Sequence, residues 1–216
     1  MSDNEPREPK FRRRAEDRPD EVMDAALVLF SEQGFASTTV DQIAARAGLS
    51  KGAVYLYFRS KEAILEGLVG RTINPVVDDA FDRMSGFRGD PRPLLAEFLR
   101  NIATMMTVRP VWAIPLIVLR ESRLAPGITE NFRRSVLDRA LPAITALLRQ
   151  GVEGGHIRPV DPELTARTVI GPVLVHILLS EVFDIRPGGG LQMQRLVDNH
   201  IQILWAGLAP EREPAA

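Results

Sequence analysis

Cysteine is absent from all 216 residues. That excludes disulfides, thiol catalysis and zinc sites built on thiolates, and it fits a reducing compartment. Histidine is scarce: His156, His176 and His200 are the only three. They fall on a loop and two helices, and none has a partner at the spacing that puts two imidazoles on one helix face. No metal is expected. A phosphate-binding glycine loop is missing too, since Gly188-Gly189-Gly190 follows Pro187 in a turn rather than a strand, so no cofactor is expected either. The N-terminus lacks the apolar run of a signal peptide. The longest apolar stretch, Val169 to Leu179, is interrupted by Gly171, Pro172 and His176 and is too short to span a bilayer. No strand signal and no internal repeat stands out. The expectation is a cytoplasmic, all-α protein with no membrane partner.

What is present is ordinary in bulk and uneven in detail. Hydrophobic content of 45% and charged content of 25% suit a soluble globular chain with a sizeable core. A formal net charge of -1 argues against a protein that coats nucleic acid everywhere. Between Gly34 and Lys61, however, Asp41 is the only acid, against Arg46, Lys51, Arg59 and Lys61. Local positive charge of this kind is what a sequence-specific DNA reader needs.

The same segment carries the pattern of two short helices and a tight turn. Thr39 is a natural N-cap, and Gln42 three positions on completes a capping box before Ile43 and Ala44. Gly48 can end that helix in the left-handed conformation, with small Ala44 and Gly48 allowing a close crossing. Ser50 caps a second helix to about Phe58, with Val54 and Phe58 inward. This is a helix-turn-helix whose second helix would enter a DNA major groove. A helix from near Pro19 to Gln33, with Val22, Ala26, Leu29 and Phe30 on one face, supplies the third wall. The remaining pattern predicts a body, for about nine helices in all. A long helix from Lys61 to Met84 is interrupted at Asn74-Pro75, and one from Ile128 to Glu153 carries Pro142 as a bend. The expected division is a disordered arm over 1–18, a DNA-binding head over 19–60, a body over 61–208 and a tail over 209–216. Within the arm, the basic run 10–14 would lie against phosphates, or be no more than a solvated charge run beside Glu8, Glu16 and Asp17.

Gly34-Phe35, Thr38-Thr39-Val40, Ile43-Ala44, Ala47-Gly48-Leu49-Ser50, Gly52, Tyr55, Tyr57-Phe58 and Ser60-Lys61-Glu62 together resemble the TetR family of bacterial transcriptional regulators. The resemblance covers roughly the first third of the chain. It implies a homodimer on a partly palindromic operator, with a small-molecule effector bound in a divergent helical body. Carried over by position, it implies DNA contacts at Thr38, Thr39, Lys51, Gly52, Ala53, Tyr55, Tyr57 and Lys61. The chemistry is suitable: hydroxyls and lysines for phosphates, Tyr55 for a base or thymine methyl, and little bulk at Gly52 and Ala53.

For the body, an apolar effector pocket is expected from Phe98, Ile102, Met105, Met106, Trp112, Leu116, Arg120 and Glu121, although apolar residues at helical spacing are more often core. The last two helices are apolar enough to leave a face exposed on a monomer, and a four-helix bundle between two copies would cover it. Its expected residues are His176, Val197, His200, Ile201, Leu204 and Trp205. A ligand-responsive repressor is the first reading. An activator, or a DNA-binding protein without an effector, is the alternative, and no catalytic constellation supports an enzyme.

Overall fold

The structure, a computed structural model, describes residues 10–108, 110–123 and 126–210, with side chains described from Asp17 onward except at 108 and 110. The basic run 10–14 therefore lies outside the described side chains, and most of the expected tail lies outside the described residues. Every regular element among the described residues is helical: α1 Lys10–Gln33, α2 Val40–Arg46, α3 Lys51–Tyr55, α4 Lys61–Thr72, α5 Asn74–Met84, α6 Arg92–Val108, α7 Ala113–Glu121, α8 Pro126–Phe132, α9 Asp138–Glu153, α10 Pro162–Glu181 and α11 Met193–Leu208. A 3₁₀ turn at Pro110–Trp112 precedes α7, and a π turn at Arg133–Leu137 joins α8 to α9. The count exceeds nine for two physical reasons. Ile73 breaks the long helix expected from Lys61, and Pro75 then sits in the first turn of α5, where its missing N–H costs nothing. The helix expected from Ile128 is divided by the π turn.

The first helix also starts earlier than expected, at Lys10 rather than near Pro19, and Pro19 lies inside it.

Two compact units make up the chain, Met1–Leu68 and Val69–Ala216. The first closes eight residues beyond the expected boundary at 60 because α4 completes its core. Ile64, Leu65 and Leu68 are buried there together with Val22, Ala26, Leu27, Phe30, Ile43 and Val54. Gly67 makes that closure possible: a Cβ at this position would meet Met23 Sδ and Phe58 Cε1, each at 3.0 Å. The second unit packs α10 on α9 and on α11, α11 on α6, and α5 on α6 and α9. Its centre is Leu95, Leu99, Ile114, Ile144, Leu147, Leu148, Val169 and Val197. By length and composition α10 is apolar enough to cross a bilayer. Packing accounts for part of that composition: Ala166, Val169, Val173 and Ile177 are buried in the unit's own core, while Leu164, Leu174, Val175 and Leu179 are exposed.

Candidate nucleic-acid interface

The reading unit is built around α2 and α3. Thr39 caps α2: its hydroxyl accepts from the Gln42 N–H at 3.3 Å, while the Thr39 N–H donates to Gln42 Oε1 at 2.8 Å. Ser50 caps α3 by accepting from the Ala53 N–H at 3.2 Å. Between them Gly48 stands at φ +67°, yet nothing lies within 4 Å of where its Cβ would be. Glycine is required there by the backbone angle and not by a close helix crossing. Regular α-helix ends at Tyr55, and the chain then turns with the Tyr57 and Phe58 N–H groups both bonded to the Val54 carbonyl at 3.0 Å.

This geometry sorts the expected DNA contacts. Val54 is fully buried and aims the opposite side of α3 outward. Tyr55, Leu56 and Tyr57 are exposed there by 46%, 80% and 37%, so three large side chains stand in solvent at the end of the helix. Gly52 is exposed and Ala53 half-buried, leaving the start of α3 unobstructed. Leu56 was not among the expected contacts; its place between two tyrosines was the available signal. Thr39 is exposed, with its hydroxyl engaged in the cap.

Three expectations change. Thr38 is 1% exposed; its hydroxyl donates to the Gly34 carbonyl at 2.8 Å and accepts from Gln33 Nε2 at 3.1 Å. Its hydroxyl is buried and braces the turn from inside. Lys61 donates to the carbonyls of Phe35, Ala36 and Thr38 at 2.8, 3.1 and 3.2 Å, and lies 4.5 Å above the Phe35 ring, so its three protons already have acceptors. Lys51 is exposed but pairs with Asp41 at 2.8 Å. Hydrogen bonding to that carboxylate holds the Lys51 ammonium above the ordinary lysine range.

In the second unit a partly open cavity of about 160 Å³ is lined by side chains that are all apolar. Phe98, Ile102, Met105 and Met106 line it. Trp112, Leu116, Arg120 and Glu121 do not: Leu116 is buried elsewhere in the core, and Arg120 is exposed. The missing walls come from Val76 and Val77 of α5, Val136 and Leu137 of the π turn, and Ile170, Val173 and Ile177 of α10. Periodicity marks all of these as inward, and nothing local marks the space between them.

The expected dimer residues are also displaced. Val197, His200, Ile201 and Leu204 on α11, and His176 on α10, are buried within the chain itself, while Trp205 is half-buried. His200 Nε2 donates to the Val169 carbonyl at 3.1 Å, and His176 Nε2 contacts that of Leu191. The stripe faces inward because α11 lies on α6 and α10. What stands in solvent instead is Leu174, Val175 and Leu179 along α10, Val182 and Phe183 just past its end, and Ile203 from α11 at 62% exposure.

Comparison with known proteins agrees with both units. Residues 22–68 match the model described as bacterial regulatory proteins, tetR family, and residues 88–188 match the tetracyclin repressor-like C-terminal domain. The HTH-type transcriptional repressor KstR2 of Mycobacterium tuberculosis is 26% identical over 196 residues, covering 90% of this chain and 94% of its own. The fatty acid degradation regulator FadR from Bacillus halodurans has a similar structure, with a TM-score of 0.70, 25% identity and coverage of 88% of this chain and 98% of its own. SmeT, the repressor of the Stenotrophomonas maltophilia multidrug efflux pump SmeDEF, has a TM-score of 0.70 at 23% identity, covering 93% and 99%. A capped helix-turn-helix whose second helix is bare on one face, in a chain matched by family models at both ends, allows one assignment: this protein is a DNA-binding, ligand-responsive transcriptional regulator belonging to the TetR family.

Proposed function

We propose that the chain is a cytoplasmic repressor that binds a partly palindromic operator as a homodimer and is released by a small, apolar effector. The observation that carries the DNA side is the exposure of Tyr55, Leu56 and Tyr57 at the end of α3 while Val54 anchors the helix from behind. Tyr55 and Leu56 suit thymine methyls and base edges, and Tyr57 suits the backbone or an adjacent base. Gly52 and Ala53 permit close approach, the exposed Thr39 faces the phosphates, and Lys51 reaches them on exchange of its Asp41 partner. Lys61 and Thr38 hold the reading unit in shape.

The effector class follows from the cavity wall. With no donor or acceptor among its lining side chains, the cavity penalises any buried polar atom by the full cost of an unmade hydrogen bond. Dry apolar cavities of about 150 Å³ accept a benzene-sized molecule. The ligand portion that enters is therefore a ring or short alkyl chain, and any polar group stays outside. FadR and KstR2 support a lipid-like ligand only as relatives, by the names they carry. Release is a population shift: the effector binds better to conformations whose paired heads fit the operator less well. The outward face of α10 with Ile203 is the surface a second copy would cover.

Selecting duplexes from a random-sequence pool with the purified protein, then repeating the binding with alkyl and aryl probes, tests both halves. The expected result is enrichment of one inverted repeat and its release by apolar probes. Uniform binding to all sequences would overturn the operator reading, and enrichment without release by any apolar probe would overturn the effector class.

A further inference from the structure

Lys61 takes a phosphate contact by its position, yet its surroundings describe a different task. An ammonium has three hydrogens, and three carbonyl oxygens converge on this one, from Phe35 at 2.8 Å, Ala36 at 3.1 Å and Thr38 at 3.2 Å. The Phe35 ring sits beneath the charge at 4.5 Å and is itself packed on Phe30, with ring centroids 4.9 Å apart. These carbonyls belong to the turn between α1 and α2, where the Phe35 oxygen also accepts from the Thr38 N–H at 3.2 Å. On the opposite side of the same turn, Gln33 Nε2 donates to Thr38 Oγ1 at 3.1 Å and to Gln42 Oε1 at 3.2 Å. The turn is thus held from two directions, and Lys61 supplies the only charge among these contacts.

We infer that Lys61 is a positioning residue for DNA reading: it clamps the turn over 35–38 to the start of α4 and so fixes the Thr39 cap from which α2 begins. The inference rests on the DNA-reading function proposed above. The geometry suits lysine specifically. Three carbonyls converging on a point fit a compact ammonium, whereas the planar fork of arginine spreads its donors outward and matches phosphate instead. A phosphate ligand and a turn clamp therefore respond to substitution in opposite ways.

The test uses full-length wild type, Lys61→Met and Lys61→Arg, with the duplex that wild type selects from a random-sequence pool. Both variants are expected to lose roughly tenfold in affinity, the scale of a lost charge-assisted hydrogen bond. The slope of log affinity against log salt should stay at the wild-type value. In the DNA-free proteins, the Thr38 and Thr39 amides should exchange with solvent several-fold faster, while the amides inside α1 keep their protection. Full affinity in Lys61→Arg, or a salt slope about one unit shallower in Lys61→Met, would assign Lys61 to phosphate and overturn the inference. Loss of protection across all of α1 to α3 in Lys61→Arg would overturn it as well, because the residue would then hold the whole unit rather than one turn. Should Lys61→Met fail to fold, Lys61→Arg decides on both readouts. Should no duplex be enriched, the DNA reading fails separately, and exchange at Thr38 and Thr39 still shows whether the clamp exists.

Discussion

The turn that leads into α2 and the cavity of the second unit are held together by opposite means. In the turn, nearly every polar atom has a named partner: Thr39 with Gln42, Thr38 with Gly34 and Gln33, and Lys61 with three carbonyls. Such bonds have direction, so they fix where α2 begins. The cavity wall contains no hydrogen-bonding side chain at all, and its shape follows from how Phe98, Ile102, Val173 and their neighbours fill space. Apolar walls adjust by rotamer changes at small cost, especially at Met105 and Met106. A protein that must hold one surface rigid and let another adapt divides its chemistry in this way.

The largest test of that division lies on the outward face of the second unit. Replacing Val175 and Ile203, which are 53% and 62% exposed, by glutamate should give monomers by sedimentation. Operator affinity should fall by roughly 100-fold or more, because two heads on one duplex act at high effective concentration and a single head does not. Glutamate at Leu204, 6% exposed, should instead lower the melting temperature of the unit. Dimers persisting in the double variant would move the interface elsewhere and leave this apolar face unexplained.

Within the reading unit, Tyr55→Ala should cost about 1–3 kcal/mol of operator affinity while leaving the melting temperature unchanged. Leu56→Ala should follow it at the lower end of that range. An operator affinity equal to wild type in both variants would mean that α3 is positioned by its surroundings but reads nothing with its exposed end.

These two units also differ in how much of them is legible in the sequence. The caps at Thr39 and Ser50 and the left-handed glycine at 48 are short-range devices, each needing particular residue types within four positions, and all three stand in the structure where the pattern puts them. The side on which a helix is covered is a different kind of fact. The stripe Val197, Ile201, Leu204 is visible in the sequence, but only tertiary packing reveals that α6 covers it and leaves Leu174, Val175 and Ile203 outside. The cavity is harder still, since half of its wall comes from segments whose residues look like any other core residues. Lys61 and Thr38 depart from expectation for a third reason. A position inherited from a resemblance says where a residue sits, and the count of its hydrogen-bond partners says whether it is free to act.

Filling the cavity is a smaller and more selective perturbation. Ala140 lines it and is 9% exposed, so Ala140→Leu should place three extra carbons in the empty space. Operator affinity should be unchanged and folding stability should move by no more than about 1 kcal/mol, since added volume meets a void rather than a packed core. Release by apolar probes should weaken about tenfold, as steric exclusion removes part of their buried area. Equal release in variant and wild type would place the effector outside this cavity.

The smallest expected effect concerns a turn in the second unit that pairs two charges, where the turn into α2 sets one ammonium against neutral carbonyls. Asp90 accepts from the Arg92 backbone N–H at 3.0 Å and pairs with its guanidinium at 2.7 Å, at the entry to α6. Hydrogen bonding to the Arg92 side chain is the main cause that holds the Asp90 carboxyl below the ordinary range, against a partial burial that acts the other way. A depressed carboxyl stabilises the fold above its unfolded value of about 4, and that contribution is lost as pH falls through the lower folded value. Asp90→Asn keeps the cap and removes the charge. Because a third of each side chain is exposed, screening limits the loss to about 0.5–1 kcal/mol at pH 7, measured by urea unfolding. As pH falls through the lowered folded value of Asp90 the variant and wild type should converge, since both then lack the charge. A gap that stays constant as pH falls would mean that the amide side chain loses packing or hydrogen-bond geometry, and that this turn is held by neutral bonds.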